Sequence, residues 1–148
     1  MKKQFITFLC FASLVLLLSS CAGYSAVGRW VASDSSRRTQ LEKRVSIWHQ
    51  AIFWADKKSA LSVIEPSLEY PLNKIIKKVD RSEEFREFTV ESMVLNDDAT
   101  ATVKSTVKSF KVPSYKLESR VITENWTYRR FGGGWFLSSS DLLEDKLL

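Results

Sequence analysis

Apolar residues recur at two periods along this chain, and the change falls near residue 80. Leu41, Val45, Trp48, Ile52 and Ala55 stand four, three, four and three apart, which puts them on one face of a helix. Arg37, Arg38, Glu42, Lys43 and Arg44 keep largely to the other side. Ser36, or Thr39 with Glu42 three residues on, can satisfy the free amides at its start. Asp56 is the expected N-cap of a second, short helix with Ala60, Leu61 and Ile64 inward, closed by Pro66. Leu68, Leu72, Ile75, Ile76 and Val79 keep helical spacing in a third, where Pro71 suits the first turn.

Beyond Asp80 the period becomes two. Phe88, Val90, Ser92 and Val94 alternate with Thr89, Glu91 and Met93, the pattern of a half-buried strand. Asn96-Asp97-Asp98 is a turn, because these side chains bond to their own backbone and tolerate left-handed conformations. Ala101, Val103, Ser105 and Val107 alternate with Thr102, Lys104, Thr106 and Lys108 in a second strand. Val112-Pro113-Ser114-Tyr115 breaks the run, residues 116–131 form a third strand, and Gly132-Gly133-Gly134 turns into a fourth beginning at Trp135. Helices followed by antiparallel strands define an α+β domain over residues 37–148.

Pairing parity then assigns faces. With a four-residue loop at 112–115, Ala101 faces Trp126, Val103 faces Glu124 and Ser105 faces Ile122. A two-residue loop at 132–133 sets Trp135 opposite Arg130 and Leu137 opposite Tyr128. One face collects Ile122, Trp126, Tyr128, Trp135 and Leu137, joined by Phe88 and Val90, with Glu124 and Arg130 on the same side. A one-residue slip would move the whole set to the other face.

The N-terminus carries a different signal. Met1-Lys2-Lys3 precedes fourteen largely apolar residues, Phe5–Leu18, too few to span a bilayer, which needs about 20. Positive start, short apolar core and small residues are the parts of a secretory signal. Its tail, Leu18-Ser19-Ser20-Cys21, resembles the lipobox of bacterial lipoproteins. That resemblance implies removal of residues 1–20, attachment of diacylglycerol to the Cys21 sulfur and acylation of the new amino terminus. Two or more chains hold a protein stably on a membrane where one does not. Ala22 stands where an aspartate would resemble an inner-membrane retention signal, so the expected location is the outer membrane, facing the periplasm. Residues 21–36, rich in Ala, Gly and Ser, read as the lipidated tether, with Tyr24 and Trp30 suited to docking or to the head-group level.

Loss of residues 1–20 takes Lys2 and Lys3 and no acid, leaving 20 basic against 17 acidic residues and a net charge of +3. That is too mild for a nucleic-acid binder, which needs a basic stripe. Cys10 leaves with the signal and Cys21 carries lipid, so no thiol remains for a disulfide, a zinc site or a nucleophile. Five tryptophans and nine phenylalanines in the chain supply bulk for a core without staples.

The first helix ending in FWADKKSALSVI (53–64), together with the hairpin NWTYRRFGGGWFL (125–137), resembles the nuclear-transport-factor-2-like family. The resemblance implies a curved four-stranded sheet wrapped around a long N-terminal helix, a cystatin-type cone whose mouth can hold a ligand, an active site or a partner. Self-association through the sheet is common in that family, so a homodimer is a further expectation. Trp48, His49, Glu124, Trp126, Tyr128 and Trp135 are the candidate pocket residues. Glu124 is either a buried carboxylate able to act as base or anchor, or a solvated one. His49, the sole histidine, fits a hydrogen-bonded place at the helix–sheet boundary and lacks companions at metal-ligand spacing. Enzymes of the family, such as ketosteroid isomerase and scytalone dehydratase, use acids, tyrosines or histidines in the cone. None of their motifs matches here residue by residue, so no catalytic residue, metal or cofactor is assigned. The expected function is a lipid-anchored, non-enzymatic envelope module that takes a small apolar ligand or an envelope protein. The alternatives are proton transfer on a hydrophobic substrate by a pocket carboxylate, and a structural role in envelope assembly.

Overall fold

The computed structural model describes residues 34–96, 98–131 and 133–144. The signal segment, Cys21, Tyr24 and Trp30 lie outside the described residues, as do Asp97 and Gly132. Two compact units divide the chain, Met1–Arg37 and Arg38–Leu148, and the second carries the fold. Its elements are α1 (Asp34–Phe53, begun in the first unit), α2 (Lys57–Leu61), a 3₁₀ turn (Pro66–Leu68), α3 (Glu69–Arg81), and strands β1 (Glu83–Leu95), β2 (Thr100–Lys111), β3 (Lys116–Arg129) and β4 (Gly134–Ser140). The strands form one antiparallel meander in the order β1-β2-β3-β4. No described helix is long and apolar enough to cross a membrane.

The apolar stripe of α1 is the core's first half. Leu41, Val45, Trp48, Ala51 and Ile52 are buried against the concave face of the sheet. The helix starts at Asp34, so Ser36 and Thr39 lie inside it rather than at its cap. Ala55 is not on the stripe. It adopts φ 52°, and the amides of Ala55 and Asp56 bond back to the carbonyls of Ile52 and Ala51, the Schellman closure that ends a helix. Asp56 then caps α2, its carboxylate accepting from the Ser59 amide at 3.2 Å. The hydrogen bonds from the Ser59 hydroxyl and amide hold that carboxyl below its usual range.

The α2 helix is shorter than its apolar spacing predicts. It stops at Leu61, which is exposed, and Pro66 opens the 3₁₀ turn instead of closing a helix. Ile64 is buried by another route: Val63–Glu65 run parallel beside β4, with Leu137 N–H on the Val63 carbonyl and Glu65 N–H on the Leu137 carbonyl, both at 2.9 Å. This bridge occupies the outward backbone groups of Leu137, one position on an edge strand.

On β2, Ala101, Val103, Ser105, Val107 and Ser109 are buried in strict alternation. The β2–β3 register pairs Ala101 with Trp126, Val103 with Glu124 and Ser105 with Ile122, as cross-strand fit predicts. The β3–β4 register differs by two residues. Trp135 lies opposite Tyr128 and Leu137 opposite Trp126, because the connection is a wider loop in which Gly133 and Gly134 take φ of 116° and 96°. An even shift preserves the faces, so Trp135 and Leu137 stay inward while Arg130 is exposed in the turn.

Strand β1 departs furthest from simple alternation. Register shifts between Phe85 and Glu87 and between Val90 and Ser92 each insert a residue. Phe85, Phe88, Val90, Met93 and Leu95 therefore share the face of buried Ser109, Val107, Ser105, Val103 and Ala101, and Val94 is turned outward.

Among the described residues, the buried side-chain atoms with no hydrogen-bond partner include Ser105 Oγ and Trp126 Nε1. An unpaired buried hydroxyl keeps its desolvation cost and returns nothing. Ser105→Ala is expected to raise stability by about 1 kcal/mol in urea unfolding; a loss of stability would show that the hydroxyl is satisfied in solution.

Candidate functional site

Glu124 sits in the middle of β3 on the concave face and is wholly buried. The helix α1 passes above it so that two consecutive residues, Trp48 and His49, both reach the carboxylate. Trp48 Nε1 donates to Glu124 Oε1 at 2.8 Å. His49 Nε2 lies 3.1 Å from Oε1 and 3.2 Å from Oε2. The ring of His49 stacks on Phe88 of β1, centroids 4.8 Å apart and planes 21° apart.

A groove of about 640 Å³ opens between α1 and β1 directly in front of His49. Its apolar floor is Val45, Phe53, Phe88, Val90 and Met93. The first bulge of β1 turns the strand before Phe88, and the second carries Met93 rather than Ser92 onto the floor. Charged groups rim it, and several are already paired: Arg38 with Glu42 at 3.4 Å, Arg86 with Glu84 at 2.9 Å and Glu87 with Lys108 at 2.7 Å. The hydrogen bond from the Lys108 ammonium holds the Glu87 carboxyl below its usual range.

The residues singled out from the sequence thus separate into two groups. His49 is on the groove wall. Trp48, Trp126 and Trp135 fill the core behind it, and Glu124 lies among them, linked to the groove only through His49. Tyr128 is half-buried beside the hairpin, edge-on to Trp135 at 5.2 Å. The floor residues Phe53 and Met93 escape sequence reading, since strict alternation sends Met93 to the opposite face from Phe88. Glu83 escapes it too. That carboxylate is buried at the start of β1 and accepts from Ser109 Oγ at 2.7 Å, with Arg120 at 3.0 Å and Lys78 at 3.5 Å. Two cations and a hydroxyl satisfy it, which makes it a structural node. Among the described residues no three His, Cys, Asp or Glu side chains gather as metal ligands do.

Known structures repeat this architecture. A proposed dehydratase of the NTF2-like family from Streptomyces avermitilis aligns with a TM-score of 0.54 at 15% identity, over 73% of this chain and 95% of that one. A ketosteroid isomerase-like protein from Erwinia carotovora atroseptica gives 0.51 at 14% identity, over 67% and 88%. A proposed polyketide cyclase from Xanthomonas campestris gives 0.50 at 12%, over 70% and 93%. The fold is therefore NTF2-like, an α+β cone. No protein-family model matches the sequence, and no curated protein does.

Trp48→Phe removes the indole donor and some bulk while keeping an aromatic ring. The lost bond to a buried carboxylate and the gap left behind are expected to cost about 2–4 kcal/mol in chemical denaturation. A change under about 0.5 kcal/mol would mean that Glu124 does not depend on this donor.

Proposed function

We propose that this chain is a lipid-anchored binding module of the cell envelope whose α1–β1 groove takes a small apolar molecule. The groove itself carries the reading. Its volume falls in the range of ligand pockets, its floor is apolar, and His49 stands on its wall inside a rim of charged and polar side chains. The LSSC tail at 18–21 supports attachment through Cys21, and Ala22 supports an outer-membrane location facing the periplasm. An envelope protein docking at the same groove is the alternative occupant.

One observation favours a second reading. His49 is backed by a buried carboxylate at hydrogen-bond distance, the arrangement that orients an imidazole for proton transfer. Here His49 would touch the substrate, and Glu124 would position it. The dehydratase and isomerase-like neighbours of this fold keep that reading open for a hydrophobic substrate.

Native mass spectrometry of the full chain taken from membranes is expected to show a bound apolar molecule, and Val90→Glu, in the groove floor, to lose it. A molecule recovered unchanged supports a binding module; one recovered chemically altered after incubation supports catalysis. A chain that carries nothing, native or variant, speaks against both. The anchor is tested separately. Cys21→Ser should abolish fatty-acid labelling, leave residues 1–20 uncleaved by the lipoprotein route and change the mature mass. Unchanged membrane fractionation and mature size would overturn the lipid attachment.

A further inference from the structure

Resting on the groove as a ligand site, we propose that it selects, among apolar molecules, those presenting a hydroxyl hydrogen-bond donor to Nδ1 of His49. The selectivity follows from the residue behind the ring. A carboxylate only accepts hydrogen bonds. Both Glu124 oxygens face Nε2, at 3.1 and 3.2 Å, so in the neutral imidazole the proton sits on Nε2. Trp48 Nε1 donates to Oε1 as well and holds the carboxylate in place. Nδ1 is left with its lone pair, an acceptor.

That acceptor has no other employment. Among the described residues the hydrogen bonds of His49 run through Nε2 alone, and Nδ1 is not among the buried polar atoms cut off from partners and solvent. The stack on Phe88 fixes the plane of the ring, and with it the direction of the lone pair. Around it the floor is apolar: Val45, Phe53, Val90 and Met93. A ligand without a donor would cover Nδ1 and leave it unpaired, which costs more than the bond itself returns. Three rim carboxylates also accept: Glu42 and Glu87 are held by cations, Arg38 and Lys108, and Glu91 is exposed to solvent.

The test uses the full chain in nanodiscs, at a pH where the nitrogen-15 spectrum shows a neutral imidazole. Nitrogen-15 spectra read the tautomer directly, because the chain has one histidine. Equilibrium dialysis compares 2-naphthol with 2-methoxynaphthalene, which matches it in shape but lacks the donor, with empty nanodiscs subtracted. The expected result is an Nε2–H tautomer and binding of 2-naphthol about fivefold tighter. Glu124→Gln is the decisive variant. Its amide oxygen can keep the bond from Trp48 while its N–H₂ donates to His49 Nε2, which moves the ring proton to Nδ1. The preference for 2-naphthol should then vanish or reverse. Glu118→Gln, paired with Lys111 away from the groove, should leave it unchanged. An Nδ1–H tautomer in the native chain, or equal affinity for the two probes, overturns the selectivity while leaving the groove as a ligand site. Failure of either probe to bind at all overturns the groove reading, and the selectivity with it. The native chain decides these outcomes even if Glu124→Gln does not fold.

Discussion

The molecule is organised around a polar group where none is cheap to keep. Glu124 lies fully buried between α1 and the sheet, and burial of an unpaired carboxylate would be prohibitive. Two hydrogen-bond partners on one helix, Trp48 Nε1 and His49 Nε2, make the site tolerable. They do so only when α1 sits at one rotation and one height over β3. A purely apolar interface of Leu, Val and Ile would accept several such placements, whereas this one has a register mark. The wall of the groove follows from it, since fixing His49 against Glu124 also fixes the ring that stacks on Phe88.

The sheet contributes the rest of the geometry through irregularity. A regular edge strand would lie along β2 and continue its alternation. Two inserted residues in β1 bring Phe88, Val90 and Met93 to one floor. The tryptophans meanwhile close the interior of the cone. Trp48, Trp126 and Trp135 are all within about a hundredth of complete burial, so the open space is beside the helix rather than beneath it.

How much of this was legible beforehand depends on whether the governing contacts are local or distant. The stripe of α1, the cap at Asp56 and the β2–β3 pairing are written in short-range pattern, and the structure shows each of them. The inward position of Glu124 followed from the same parity. Its partners did not, because which helix residue stands above a strand position is a tertiary fact that spacing along one element does not contain. Bulges leave little trace either: Arg86 and Glu91 are ordinary strand-edge residues in composition, yet Val94 faces out and Met93 in on their account. The end of α2 was misjudged for a similar reason. Leu61 and Ile64 carry helical spacing, but pairing with β4 outweighs propensity over a single turn.

The two borders of the sheet are unequal. At β4 the outer backbone groups of Leu137 are held by Val63 and Glu65, whereas β1 ends the sheet with no such bridge among the described residues. The β1 border is broken twice by bulges and carries Arg86, Glu87 and Glu91, features that disfavour edge-to-edge pairing. The same irregularities that shape a groove also blunt an edge, so straightening the strand would remove a protection as well as reshape the floor.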